Sequence, residues 1–329
     1  MQKRYLIIRY SSLGDIILCL KPARLFLKQH KDIHLDILSS ECVKEILEKS
    51  GIFNRVYCLP EKKLSGDTIS LLHSMSKTTY AAVFDLQNKV FSRIFACLLK
   101  KNEFRVYRKR TLKEQLHFGL LGKYPIKLAN EEPVSFRYTK VFQLKIKNLV
   151  AKFSKTPGVF MTLRASLPRE KIILLHPHAR NAGKTNFALF HKILGFLNSA
   201  GYAVAVIGQG NFELSKFPTV LDWQNKLDLS TLLQKLACST ALISTDSAPM
   251  HLAAETGIPV FCYFFQTAEN LGFAPMAENV SIFPRDLYCR PCSLHGRRLC
   301  PIGTWECKGI EPYSEELQWL KKKLHQFQI

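Results

Sequence analysis

Ile243-Ser244-Thr245-Asp246-Ser247-Ala248-Pro249-Met250-His251-Leu252-Ala253-Ala254 carries the reading of this chain. The apolar run Ala241, Leu242, Ile243 stops at a small polar cluster, and helix-forming residues follow at once. That is a strand emptying into a loop that opens a helix. Unpaired N–H groups and the helix dipole converge at such a point, which suits a phosphate. Ser244, Thr245, Asp246 and Ser247 add side-chain donors and acceptors, and His251 lies about one turn further on. An ordinary N-cap explains the same residues equally well at this stage.

Working outward, short β-rich runs alternate with helical patterns along the 329 residues. Strands are expected at Tyr5–Tyr10, His34–Leu38, Arg55–Cys58, Ala81–Leu86 and Glu103–Tyr107. Helices are expected at Ile16–Lys28, Cys42–Lys49, Thr68–Met75 and Val90–Lys100. Leu128–Leu167 breaks the rhythm, with a basic helical stretch at Val141–Phe153. The alternation then resumes through strands at Lys171–His176, Ala203–Ile207, Ala241–Ser244 and Ile258–Phe264. The later helices are Phe187–Asn198, Ser230–Cys238, Pro249–Thr256 and Ser314–Gln326. Such alternation implies an α/β chain of two doubly wound parallel-sheet domains. The expected division is 1–160, 161–313 and a terminal helix, 314–329.

Apolar content of 47% and charged content of 22% are those of a folded globular protein. No apolar run approaches the ~20 residues that span a bilayer, and Tyr5 to Ile8 reads as a first strand rather than a signal peptide. A cytoplasmic protein is the expectation. The net charge of +21 is abnormal, and it is lopsided: residues 1–150 carry 28 Lys and Arg against 13 Asp and Glu. Lys100–Lys127 alone holds nine basic residues, among them Arg105, Arg108, Lys109 and Arg110. Such a field attracts polyanions: nucleic acid, anionic headgroups or a phosphorylated acceptor.

Four further constellations could carry chemistry. Tyr10-Ser11-Ser12-Leu13-Gly14-Asp15 leaves the first strand and puts Asp15 at a helix start, either as a cap or as a carboxylate facing a ligand. The turn lacks G-x-G-x-x-G spacing, which argues against a nicotinamide cofactor. His176-Pro177-His178-Ala179-Arg180-Asn181-Ala182-Gly183-Lys184 sets two cations, Arg180 and Lys184, around a loop ahead of a helix, which suits a departing diphosphate. Gly208-Gln209-Gly210 reads as a simple turn in preference to a close approach to a nucleotide. Ten cysteines are present. Cys19, Cys42, Cys58, Cys97, Cys238 and Cys262 read as small core residues. Cys289, Cys292, Cys300 and Cys307 have spacing that suits structural zinc, with reduced thiols as the alternative.

Taken in order, these segments resemble the heptosyltransferase group, glycosyltransferase family 9. Ser11-Ser12-Leu13-Gly14-Asp15 resembles its opening loop, Lys184 its phosphate-contacting lysine, and Asp246 to Ala254 its D-[ST]-G-x-x-H-L-x-A segment. The resemblance runs from Tyr5 to about Ser314. It implies a GT-B fold, two Rossmann-like domains facing across a cleft, and an inverting transfer of a heptose from a nucleotide sugar, ADP-heptose in the best-known members, to a lipopolysaccharide core acceptor. By that resemblance Asp15 is the general base. Lys184 and the N–H groups after Asp246 stabilise the leaving diphosphate, with Arg180, Ser247 and Ala248 beside them, and Asp246 and His251 help hold the donor. No catalytic metal is implied. Ser11 and Ser12, with the basic patch Arg105, Arg108, Lys109 and Arg110, fall on the acceptor side, so the enzyme is expected at the cytoplasmic face of the inner membrane. Ala248 departs from the family's usual Gly, the hydroxyl residues frequent ahead of the lysine are missing, and Glu213 matches its acidic position only loosely.

Two other readings remain. One is a basic nucleic-acid-binding protein with a four-cysteine zinc module; the absence of regular aromatic interleaving or a recognisable motif argues against it. The other is a GT-B-like epimerase acting on a free nucleotide sugar.

Overall fold

The computed structural model describes residues 2–60, 65–108, 132–144, 153–296 and 299–329. The described chain falls into two compact units, one holding 2–108 and 134–144, the other 132–133 and 153–329. Each is built on a parallel sheet. In the first, β1 (Lys3–Ile8), β2 (Ile33–Ser40), β3 (Arg55–Leu59), β4 (Ala82–Asp85) and β5 (Phe104–Val106) lie in the order β3-β2-β1-β4-β5. In the second, β6 (Ile172–His176), β7 (Ala203–Val206), β8 (Leu221–Asp222), β9 (Ala241–Thr245), β10 (Val260–Tyr263) and β11 (Val280–Ile282) run β11-β10-β9-β6-β7-β8. Both orders reverse once, between β1 and β4 and between β6 and β9. Doubly wound sheets bind ligands at that reversal, beyond the carboxyl ends of the strands.

Alternation along the strands covers both faces of each sheet. Leu6 and Ile8 of β1 join Met75 of α4 (Gly66–Ser76) and Phe95, Ala96 and Leu99 in and after α5 (Val90–Cys97) in one core. On the opposite face Tyr5, Phe26, Phe84 and Phe142 pack ring to ring, with centroids 4.9–5.9 Å apart. In the second unit Ile173, Leu175, Val204, Val206, Ile243 and Phe261 meet Phe190, Ile193 and Leu197 of the helix Phe187–Ser199. Burying each such side chain contributes about 1.5–3 kcal/mol. The terminal helix Ser314–Gln326 buries Leu320 and Leu324 in that second core.

Most expected elements form within a residue or two of their expected bounds, and four differences have physical causes. The first helix is broken into α1 (Leu13–Leu18) and α2 (Leu20–Gln29), because Pro22 has no N–H to donate to the Leu18 carbonyl. The edge strands β8 and β11 and the helices Val134–Val141 and Met161–Ser166 lay outside the expected set, being short and weakly patterned. Much of the expected Val141–Phe153 stretch lies outside the described residues. Of the six cysteines expected in the core, Cys42 and Cys97 are exposed and Cys58 is only half-buried; Cys97 sits on the outward side of α5.

Candidate active-site loops

In the first unit the β1–α1 loop brings Asp15 to the sheet's reversal point. Asp15 lies in the first turn of α1, where its Oδ2 accepts from the Ser12 hydroxyl at 2.9 Å and the Ser12 N–H at 3.4 Å. The same oxygen pairs with Arg9, whose guanidinium is buried and also donates to the Leu86 carbonyl at 2.5 Å. Burial opposes the Arg9 charge, yet Tyr138 and Asp15 outweigh it and raise its pKa. Three donors thus converge on Oδ2. No described residue donates to Oδ1, so Asp15 is a cap and keeps one oxygen open as well.

Gln87 staples this loop to the end of β4. Its Oε1 accepts from the Tyr10 N–H at 3.2 Å and the Ser11 N–H at 3.1 Å, and its Nε2 donates to the Ser11 hydroxyl at 3.0 Å. Asp85, fully buried, orients Gln87 in turn by accepting from its N–H at 3.0 Å. Arg9 and Gln87 were missed in the sequence. Their roles depend on β1 and β4 being neighbours; the only hint was a polar residue straight after a buried strand.

In the second unit the loops after β6 and β9 meet at the corresponding reversal. Lys184 Nζ lies 2.6 Å from Asp246 Oδ2 and 3.4 Å from the Asp246 carbonyl oxygen. Thr267, also missed, donates to Asp246 Oδ2 at 2.7 Å. Ser247 begins the helix Ala248–Thr256 with extended backbone, but its side chain makes no cap bond. The Ser247 Oγ lies instead 3.0 Å from His176 Nδ1, with Ser244 Oγ 3.3 Å from the same nitrogen. The helix's first turn thus lacks a Ser247 side-chain cap; Pro249 in it has no N–H, and the Met250 N–H donates to the Ser247 carbonyl at 3.2 Å. Ala248 is half-exposed in that turn, and His251 is buried on the same helix. Arg180 is exposed on the β6 loop.

The two histidines of that loop are kept neutral. Burial, with His178 nearby, lowers His176 to about 3, and burial also lowers His178. His178 Nε2 lies 2.8 Å from Gln224 Oε1, which also accepts from the Phe212 N–H at 2.7 Å. Oε1 is an acceptor in both, so the imidazole donates. The Gly208-Gln209-Gly210 turn is explained by these rings. A Cβ at Gly208 would fall 2.7 Å from both imidazoles, and one at Gly210 would fall 2.5 Å from His178 Nδ1; both have φ above +100°.

Other expected residues are placed elsewhere. Arg105 is paired with Glu103 at 2.5 Å and sits over the Phe84 ring, so it braces β5. Arg108 is exposed, and Lys109 and Arg110 lie outside the described residues. Glu213 accepts from the Ser215 N–H on an exposed turn. The zinc expectation finds no support: among the described residues no group of three His, Cys, Asp or Glu side chains is placed to hold a metal. Cys289 and Cys307 are 7% and 4% exposed, and Cys307 belongs to the second apolar core. Burial, then Cys292, raises Cys307 to about 11. At Cys300 burial works the other way from the N–H groups of Trp305, Ile302, Gly303 and Thr304, and these prevail and lower its pKa. All ten thiols are free.

The sequence model of glycosyltransferase family 9 (heptosyltransferase) matches residues 68–302, which include Lys184, Asp246 and His251. Lipooligosaccharide heptosyltransferase 2 of Campylobacter jejuni serotype O:2 is 27% identical over 333 residues, covering 95% of this chain and 97% of its own. Lipopolysaccharide heptosyltransferase 1 of Campylobacter coli is 27% identical over 297 residues, covering 79% and 83%. The fold is shared with the E. coli heptosyltransferase WaaC with ADP (TM-score 0.72, 16% identity, 97% and 99% covered). It is shared too with E. coli ADP-heptose lps heptosyltransferase II (TM-score 0.68, 15% identity, both chains wholly covered). With two Rossmann-like parallel sheets of the GT-B class and the family model matched over residues 68–302, this chain belongs to glycosyltransferase family 9.

Proposed function

We propose that the protein is an inverting heptosyltransferase that moves a heptose from ADP-heptose to a hydroxyl of the lipopolysaccharide core, at the cytoplasmic face of the inner membrane. The names of its relatives and the ADP and ADP-2-deoxy-2-fluoro heptose bound by a protein of the same fold support donor and acceptor. The observation that carries the mechanism is Asp15, a carboxylate at the reversal of the first sheet with Oδ2 saturated and Oδ1 open.

Asp15 Oδ1 takes the proton of the acceptor hydroxyl as its oxygen attacks the anomeric carbon. The bond from that carbon to the diphosphate oxygen breaks on the opposite face, its electron pair leaves with ADP, and the centre inverts. Lys184, Arg180 and the positive end of the helix dipole after Ser247 take up the charge on the departing diphosphate. These fixed cations and dipoles support a transfer that needs no metal. Asp246 holds Lys184 and offers its carboxylate to donor hydroxyls.

The test is to incubate the protein with ADP-heptose and a heptose-deficient lipopolysaccharide and follow ADP release and acceptor mass. Acceptor-dependent ADP release with one heptose gained supports the proposal. ADP-heptose left intact, or altered equally without acceptor, contradicts it.

A further inference from the structure

We infer that the outward face of α5 is a docking surface for an anionic phospholipid bilayer. The inference rests on the reading above that the acceptor is a membrane glycolipid, and it names the surface that meets that membrane.

The helix is apolar on both its inner and its outer face, with Arg93 at the border of the outer one. Its inner face buries Phe95 and Ala96 in the first core. Its outer face leaves Val90 76% exposed, Ile94 45% and, just past the last turn, Leu98 53%. Cys97 is exposed beside them. Positions i, i+4, i+7 and i+8 fall on one side of a helix, so these four form a single stripe. A soluble helix ordinarily turns charged residues outward there.

Along the chain that carries the stripe the exposed charges have one sign. Lys89, Arg93 and Lys100 are exposed, and no carboxylate stands between Asp85 and Glu103. Asp85 is fully buried and accepts from the Gln87 and Asn88 N–H groups and from the Ser92 hydroxyl. Glu103 is paired with Arg105. An apolar ridge with exposed cations before, within and after its helix is complementary to an anionic interface: the side chains enter the headgroup boundary while the cations meet phosphates. A protein partner needs no such uniform sign.

Position argues the same way. The ridge starts at Val90, three residues after Gln87, whose side chain holds the loop carrying Asp15. A bilayer lying on α5 therefore brings a membrane-held acceptor to the carboxyl edge of β1 and β4, where the proton acceptor stands.

The experiment uses the full chain and sedimentation with extruded vesicles, either phosphatidylglycerol mixed with phosphatidylethanolamine or phosphatidylcholine alone. The wild type is expected to bind the anionic vesicles and not the zwitterionic ones. A variant combining Val90→Ser, Ile94→Ser and Leu98→Ser should lose at least about tenfold in partitioning. Arg93→Gln with Lys100→Gln should lose about fivefold per cation removed. Both variants should keep wild-type turnover on a de-acylated, water-soluble acceptor, with unchanged near-UV circular dichroism. Equal binding to both vesicles, no binding, or undiminished binding by the triple variant overturns the inference. So does a wild-type dimer that the triple variant dissociates, since the face then belongs to a second copy. Failure of the wild type on the soluble acceptor counts instead against the proposed function and leaves the vesicle result standing.

Discussion

Lys184 and Asp246 form an ion pair 2.6 Å long at the point where the second sheet reverses its strand order. The lysine side chain is 17% exposed and the carboxylate 8%, with Thr267 on the same carboxylate oxygen. In the proposed reaction an arriving diphosphate meets a cation already oriented.

Lys184→Met should lower turnover by about 10²–10³, the usual loss of one charge-stabilising group, and weaken ADP binding measured by calorimetry. It also leaves Asp246 unpaired, at a cost of order 2 kcal/mol, less than the ~3–5 of a fully buried pair. Adding Asp246→Asn should restore stability in urea titrations but not activity. Activity recovered along with stability would make the pair structural only.

His176 makes stability depend on pH. Its folded pKa, about 3, lies below its ordinary 6.5, because burial disfavours the imidazolium. The unfolded chain therefore binds the extra proton first, and stability present above about pH 6.5 is lost as the pH falls toward 3. Between pH 7 and pH 5 this group alone costs about 2 kcal/mol. His176→Asn, which keeps a donor near Ser247, should flatten the urea-titration difference between those two pH values by that amount. An unchanged difference would mean that the ring is not held neutral by burial.

In the proposed reaction Gln87 acts through the loop that carries Asp15, which it holds at Tyr10 and Ser11. Gln87→Leu deletes three hydrogen bonds to the β1–α1 loop, and misplacing a reacting group by about an ångström costs on the order of 10²-fold. The loss should fall on kcat and the acceptor KM, with ADP affinity unchanged. An equal loss of ADP affinity would point to general unfolding.

Chelation separates the diphosphate-stabilising groups of the protein from an added ion. With Lys184, Arg180 and the helix start supplying the positive charge, excess EDTA should leave turnover within about twofold. A tenfold fall restored by magnesium or zinc would show that the proposed metal-independent step is wrong.

The placement of Asp15, Lys184 and Asp246 was legible because each falls where the chain passes from a strand into the next helix, a signal carried by neighbouring residues. Arg9, Gln87 and Thr267 were not legible, since each acts on a partner brought close by sheet order. His176 stood in the quoted loop, but its bond to Ser247 crosses from β6 to β9. For Arg105, expected on the acceptor side, the sequence did not show that Glu103, two residues away on the same side of β5, pairs with it. The late cysteines had a zinc-like spacing, yet spacing does not say which thiols turn into a core, as Cys307 does. Pro22 was visible throughout, and only the apolar periodicity continuing across it hid the break between α1 and α2.

The most direct measurement is turnover of Asp15→Asn at saturating ADP-heptose, read beside its ADP affinity and thermal midpoint. Asparagine keeps an acceptor for Ser12 and removes the base. A fall in kcat of about 10²–10⁴ with ADP affinity retained is the predicted result. Turnover close to wild type would contradict the assignment of the proton to Asp15.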